Sequence, residues 1–135
     1  MNQKTGNFPG VTVDKKIGES PLDEAYTARF IDLPGTYSLY PRRNDEWAAY
    51  KVLMKADADI QPDIVLLVAD ASNLKRNLLF CSQIIDLKYP VVVALTMLDM
   101  ARKKNIHINI PELERELGVP VVAVNPRKSK GLPLL

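Results

Sequence analysis

The sequence predicts an α/β fold with a doubly wound, mostly parallel sheet and one antiparallel hairpin. Three observations carry this. Two continuous apolar runs, "DIVLLVAD" (63–70) and "YPVVVALTMLD" (89–99), have the character of parallel strands covered on both faces. A third run, "VPVVAVN" (119–125), follows, and helical stretches separate the three. Before residue 62 the apolar residues are sparser and alternate weakly, which marks the antiparallel part.

In chain order, residues 1–10 are polar and punctuated by glycine and proline, and are expected to be loop. Residues 11–17 and 27–31 flank "GESPLDE" and read as the hairpin. The stretch "FIDLPGTYSLYP" (30–41) ends a strand in Asp32 and then turns through Leu-Pro-Gly, a turn that glycine makes most easily. After a loop over 35–43, residues 45–56 have helical spacing, with Asn44 or Asp45 as N-cap and with Trp47, Tyr50, Val52 and Leu53 inward. Residues 73–87 form the next helix, burying Leu74, Leu78, Ile84 and Leu87. A further helix comes in two pieces, 100–104 and 111–117. Pro111 suits its first turn and Gly118 its C-terminal cap. In such sheets the crossovers are right-handed and ligands sit at the carboxyl ends of the strands. Asp32, Asp70, residues 96–99 and Asn125 all fall there.

Composition narrows the function classes. With 135 residues, 47% hydrophobic and 25% charged, the chain reads as one globular domain able to bury a core without cross-links. Its single cysteine, Cys81, has no partner for an internal disulfide and reads as a small buried hydrophobe. A net charge of +2 with interspersed signs offers no basic face for nucleic acid, although Arg127, Lys128 and Lys130 cluster. The apolar runs are too short to span a bilayer, and the N-terminus lacks the apolar region of a signal peptide. No His/Cys/Glu cluster has metal-ligand spacing, so iron binding by this domain itself is not expected. His107, in "NIHINI", reads as a surface histidine, and "RKSK" (127–130) as a solvated stretch.

Four segments in order, "GNFPGVTVDKK" (6–16), "DLPGTYSL" (32–39), "PDIVLLVADASNLKRNL" (62–78) and "VVVALTMLD" (91–99), closely resemble the cytoplasmic G domain of bacterial ferrous iron transport protein B. The likeness covers nearly the whole chain. It implies a GTPase fold of the P-loop (Ras-like) type and a domain that binds and hydrolyses GTP with Mg²⁺ in a ferrous iron transporter. Carried over by position, Thr12 matches the switch I threonine that joins the magnesium shell. Asp32 matches the carboxylate that holds the metal through water, a hard oxygen ligand. Gly35 matches the glycine whose N–H meets the γ-phosphate, where a side chain would obstruct the approach. Switch I would span 5–13, with Gly10 and Val11 against the nucleotide, and switch II 35–46. The base would be met by the loop 96–99, with Thr96, Met97 and Asp99, and by the loop 125–128, with Asn125, Pro126 and Arg127. Asp99 would accept two hydrogen bonds from guanine.

Three departures from the family pattern stand out. The phosphate loop G-x-x-x-x-G-K-[ST] occurs nowhere in the 135 residues, so the fold is expected to lack the first strand, the P-loop and the first helix. Such a fragment is expected to bind neither GTP nor Mg²⁺ and to be inactive. The asparagine of N-x-x-D is Thr96 here, and a hydroxyl does not reproduce an amide's paired donor and acceptor. Third, the loop that resembles the family's S-A-[KR] reads Asn125-Pro126-Arg127, and a proline matched to the alanine position has no N–H to offer guanine O6. Each lost contact is worth roughly 1–3 kcal/mol, so selectivity is expected to fall by about two orders of magnitude or more. Thr36 stands where many G proteins carry a water-orienting glutamine, so slow hydrolysis is expected.

In the family's sheet the missing strand is central. Its absence leaves three outcomes, re-pairing of the two strands across the gap, a homo-oligomer through unpaired edges, or a partial fold, of which a rearranged or dimeric sheet is expected. The resemblance further implies GTP or GDP as ligand and adjoining helical and transmembrane domains as partners. It places the chain on the cytoplasmic side of the bacterial inner membrane within an integral membrane protein, the chain alone being soluble. The rival expectation is a non-hydrolysing interaction module whose switch loops dock a partner. A ribosome- or RNA-modifying GTPase is disfavoured by the weak charge.

Overall fold

The structure, a computed structural model, describes residues 3–7, 14–36, 39–40, 46–54, 61–128 and 130–134. The chain divides into two compact units, Met1–Gln61 and Pro62–Leu135.

The first unit contains a three-stranded antiparallel sheet in the order β1-β2-β3. Strand β1 (Gln3–Asn7) pairs with β2 (Asp14–Pro21), from Gln3 opposite Gly18 to Asn7 opposite Asp14. Strand β3 (Thr27–Asp32) pairs with the other edge of β2, from Pro21 opposite Thr27 to Lys16 opposite Asp32. The expected loop over 1–10 is therefore corrected. A polar segment with no apolar alternation becomes a strand because the edge of β2 supplies its backbone partners, which strand propensity does not register. The hairpin is also longer than expected. Pro21 ends β2, where its missing N–H costs little. The turn beyond closes on the Asp23 carboxylate, which accepts the Ala25 and Tyr26 N–H groups, both at 2.8 Å.

Helix α1 (Glu46–Leu53) supplies this unit's apolar core with Ala48, Ala49, Val52 and Leu53. Ile31 and Leu33, alternate residues at the end of β3, pack against Ala48 and Val52. Asn44 and Asp45, the expected caps, lie outside the described residues. Trp47 is not a core residue as expected: it is 44% exposed and meets Tyr50 edge-on, ring centroids 5.4 Å apart. The helix turns its alanines inward, and the bulky ring is left on the outer side.

The second unit is a three-stranded parallel sheet in the order β4-β5-β6, with β4 Val65–Asp70, β5 Val91–Thr96 and β6 Val121–Ala123. A short 3-10 turn (Ala71–Asn73) and helix α2 (Leu74–Asp86) join β4 to β5. Helices α3 (Leu98–Lys103) and α4 (Ile110–Leu117) join β5 to β6. The α2 stripe buries Cys81 and Ile84, with Leu74, Leu78 and Leu87 partly covered. Burial pushes the Cys81 thiol above its ordinary pKa, which marks it as packing. Pro111 in the first turn and Gly118 at the C-terminal cap of α4 stand as the sequence predicts, and the structure adds the N-cap. The Asn109 side chain accepts the Glu112 N–H at 3.2 Å, and Gly118, at φ 67°, closes the other end on the Glu114 carbonyl at 2.9 Å. The Glu114 carboxylate accepts the Val121 N–H at 3.3 Å and ties the helix to the start of β6.

One row of strand residues, Leu67, Ala69, Val91, Val93, Leu95 and Val121, forms the buried face of this sheet. On the alternate row, Ala94 of the central strand is buried, but Leu66 is 37% and Val68 67% exposed. Continuous apolar strands imply two covered faces; among the described residues β4 has one. The expected re-pairing across the gap is also corrected. In the described residues β3 pairs with β2 and β4 with β5, in two separate sheets.

Candidate functional site

In the first unit the candidate residues that are described are Asp32 and Gly35. Thr12, Gly10 and Val11 lie outside the described residues. Asp32 ends β3. Its neighbours Ile31 and Leu33 pack against α1, which holds the strand end, while Asp32 itself is exposed. Gly35 follows three residues on and is also exposed. Its φ lies outside the left-handed region, and no atom comes within 4 Å of where a Cβ would stand. The turn therefore does not require glycine for its backbone, which corrects the simple turn reading. Nor does any described part of the chain crowd it.

In the second unit the polar residues gather at the carboxyl ends of the parallel strands. The register sets Asp70 beside Thr96, and Val124 continues the ladder by donating to the Leu95 carbonyl at 2.9 Å. Thr96, half-buried, donates from Oγ1 to the Ala69 carbonyl at 3.2 Å, joining the ends of β4 and β5. Met97 then takes the left-handed conformation (φ 58°, ψ 28°), rare for a side chain of this kind. That single residue turns the chain from β5 into α3. Asp99 emerges in the first turn of α3, exposed, and the helix's N-cap position belongs to Met97. Asp99 is therefore not the capping residue that a carboxylate at this point can be.

The loop after β6 closes on itself. Asn125 and Lys130 exchange backbone bonds of 2.9 and 3.2 Å, and Lys128 donates to the Asn125 carbonyl at 3.0 Å. Pro126 and Arg127 lie exposed in the 3-10 turn Pro126–Lys128. Gly131, which the sequence reading passed over, permits the closure. At φ 78° its Cβ would collide with the Ala123 carbonyl oxygen and stand 3.2 Å from Val124 Cα. The available signal was a glycine that ends a basic run and precedes an apolar one. Asp70, also at a strand end, is accounted for locally. Its carboxylate accepts the Ser72 N–H at 2.8 Å and caps the 3-10 turn, and Lys104 reaches the Ser72 hydroxyl at 3.5 Å.

Asp32 presents one exposed carboxylate, and among the described residues no group of three or more His, Cys, Asp or Glu is placed to hold a metal. Magnesium commonly takes one or two carboxylates and fills its shell with water and phosphate. No helix among the described residues is long and apolar enough to cross a membrane.

The model of the family described as ferrous iron transport protein B matches residues 1–135. The Fe(2+) transporter FeoB of Leptospira biflexa is 43% identical over 132 residues, which are 98% of this chain and 19% of that protein. The cytosolic domain of L. pneumophila FeoB superposes with a TM-score of 0.89 at 41% identity, over 98% of this chain and 51% of that one. The G domain of the T. maritima FeoB iron transporter matches with a TM-score of 0.82 at 40% identity, over 96% of this chain and 76% of that one. The T. maritima cytosolic domain has been solved in GDP and GMPPNP forms. The chain thus spans under a fifth of the curated relative and about half of the Legionella domain. With a family match over its full length and G-domain folds at about 40% identity, the chain belongs to the ferrous iron transport protein B family.

Proposed function

We propose that the chain is the switch and base-recognition part of a GTP-binding domain that regulates ferrous iron passage in a membrane transporter. The observation that carries this reading is the convergence of Thr96, Met97, Asp99 and the closed loop 125–128 at the carboxyl ends of β5 and β6. Ligands favour that end of a parallel sheet. Relatives with the same fold and about 40% identity have been solved with guanine nucleotides, which supports the same ligand here.

Each residue then has a task. Asp99 accepts from the donor edge of guanine. The loop 125–128 borders the base. Gly35 lets its backbone N–H approach the terminal phosphate, and Asp32 and Thr12 supply oxygens to the metal shell. When bound, Mg²⁺ neutralises phosphate charge. With Thr96 and Pro126 at two base-reading positions, guanine is preferred over adenine by less than a thousandfold. Thr36, in place of a water-orienting glutamine, makes hydrolysis slow. Because the 135 residues contain no G-x-x-x-x-G-K-[ST], they do not cradle the β- and γ-phosphates by themselves. That absence also favours a second reading, a non-hydrolysing module whose switch loops dock a partner.

A titration with fluorescent GTP and ATP analogues and Mg²⁺, on this chain and on its full-length gene product, separates the two. The expected result is tight guanine-nucleotide binding by the full-length protein, with the chain alone binding weakly. Binding by neither replaces the GTPase reading with the docking module. A guanine preference above a thousandfold removes the roles given to Thr96 and Pro126.

A further inference from the structure

Guanine has two hydrogen-bonding edges of opposite character. Its N1–H and 2-amino groups donate, whereas O6 and N7 accept. An ionised carboxylate only accepts, so Asp99 can meet the first edge alone. We propose, resting on the guanine-nucleotide reading above, that this site recognises a purine by its donor edge and leaves N7 unread.

The argument turns on the proton of Thr96. Oγ1 lies 3.2 Å from the Ala69 carbonyl oxygen, across the β4–β5 junction. A carbonyl cannot donate, so the hydroxyl's one proton is directed to Ala69, and lone pairs are what remain for a ligand. Lone pairs repel N7. The residue is half-buried and stands beside Asp70 in register, and its hydrogen bond runs to the Ala69 carbonyl rather than to that carboxylate, which accepts the Ser72 N–H. At 3.2 Å the bond is long, yet it serves a second purpose. It pins the end of β5 immediately before the left-handed turn at Met97 that aims Asp99. Thr96 is therefore a positioning residue for Asp99.

At Pro126 the second loop offers no N–H, and the Asn125 and Lys128 N–H groups donate inside the loop, to the Lys130 and Asn125 carbonyls. The recognised class is thus purines with both an N1–H and a 2-amino group. Guanine and 7-deazaguanine should be equivalent. Hypoxanthine, lacking the amino group, should be weaker, and adenine, with an acceptor at N1, weaker again.

The test is displacement of fluorescent mant-GDP from the full-length gene product by GDP, 7-deaza-GDP and IDP. The expected result is 7-deaza-GDP within about twofold of GDP and IDP about tenfold or more weaker. Thr96→Val should leave the GDP to 7-deaza-GDP ratio near unity. Thr96→Asn, which adds an amide donor, should open a preference for GDP of about fivefold or more. A wild-type protein that binds GDP about tenfold better than 7-deaza-GDP, with the gap closed by Thr96→Val, overturns this inference while the guanine reading stands. Failure of GDP itself to displace, or of mant-GDP to bind, overturns the guanine reading and this inference with it.

Discussion

At Gly35 neither the backbone nor the surroundings demand a glycine, since φ is outside the left-handed region and a Cβ would meet no atom within 4 Å. Gly131 is the opposite case, with a positive φ and the Ala123 carbonyl in the way of any side chain. The contrast separates a glycine that the fold needs from one whose use is sought outside it. Gly35→Ala is therefore expected to change unfolding free energy by no more than about 0.5 kcal/mol in urea titrations. In the full-length gene product the same change should weaken GMPPNP relative to GDP by about tenfold, read by fluorescent-nucleotide competition. An unchanged GMPPNP to GDP ratio would remove the phosphate-facing role of Gly35.

Among the elements, β4 shows most directly that apolar character does not translate into burial residue by residue. Leu67 and Ala69 are 8% and 1% exposed, whereas Leu66 and Val68, on the alternate row, are 37% and 67%. Leu67→Ala is expected to destabilise by about 2–4 kcal/mol, since removed methylenes leave a cavity in a packed face. Val68→Thr should cost no more than about 0.5 kcal/mol, because that position loses little burial. Chemical denaturation of the two variants measures both values, and equal losses would show that the second face of β4 is covered in solution. The elements differ too in what builds them. Helix α4 owes both ends to local chemistry, Asn109 and Gly118. Strand β1 owes its existence to β2, 14–18 in the chain, across five paired positions.

For the whole molecule, the described residues of the two units form separate sheets and bury different sets of side chains. The first unit's fully buried helix residues are Ala48, Ala49, Val52 and Leu53. The second buries Ile84, Leu95 and Val93 almost completely, along with most of one sheet face. Larger apolar burial carries greater stability. The first unit is expected to unfold at lower urea concentration. Trp47, the sole tryptophan, reports on it by fluorescence. Far-ultraviolet circular dichroism reports mainly on α2, α3 and α4 of the second unit. The fluorescence midpoint should precede the dichroism midpoint; coincident transitions would show the two units folding as one.

The amino-acid sequence by itself determined the parallel strands, Pro111 and Gly118 at the ends of α4, the burial of Cys81 and Ile84 on α2, and the family. These features rest on apolar periodicity, on proline and glycine at helix ends and on local motifs, signals that act within a strand or a few turns. The tertiary structure alone decided that residues 3–7 form a strand, that Trp47 faces outward and that Gly131 must be glycine to pass the Ala123 carbonyl. It also decided where the Thr96 proton goes. The residue type at position 96 was legible as a departure from an asparagine, but its acceptor lies 27 residues away at Ala69. A hydroxyl's partner is set by which atoms the fold brings within about 3 Å, and that distance is a property of packed chains rather than of sequence spacing.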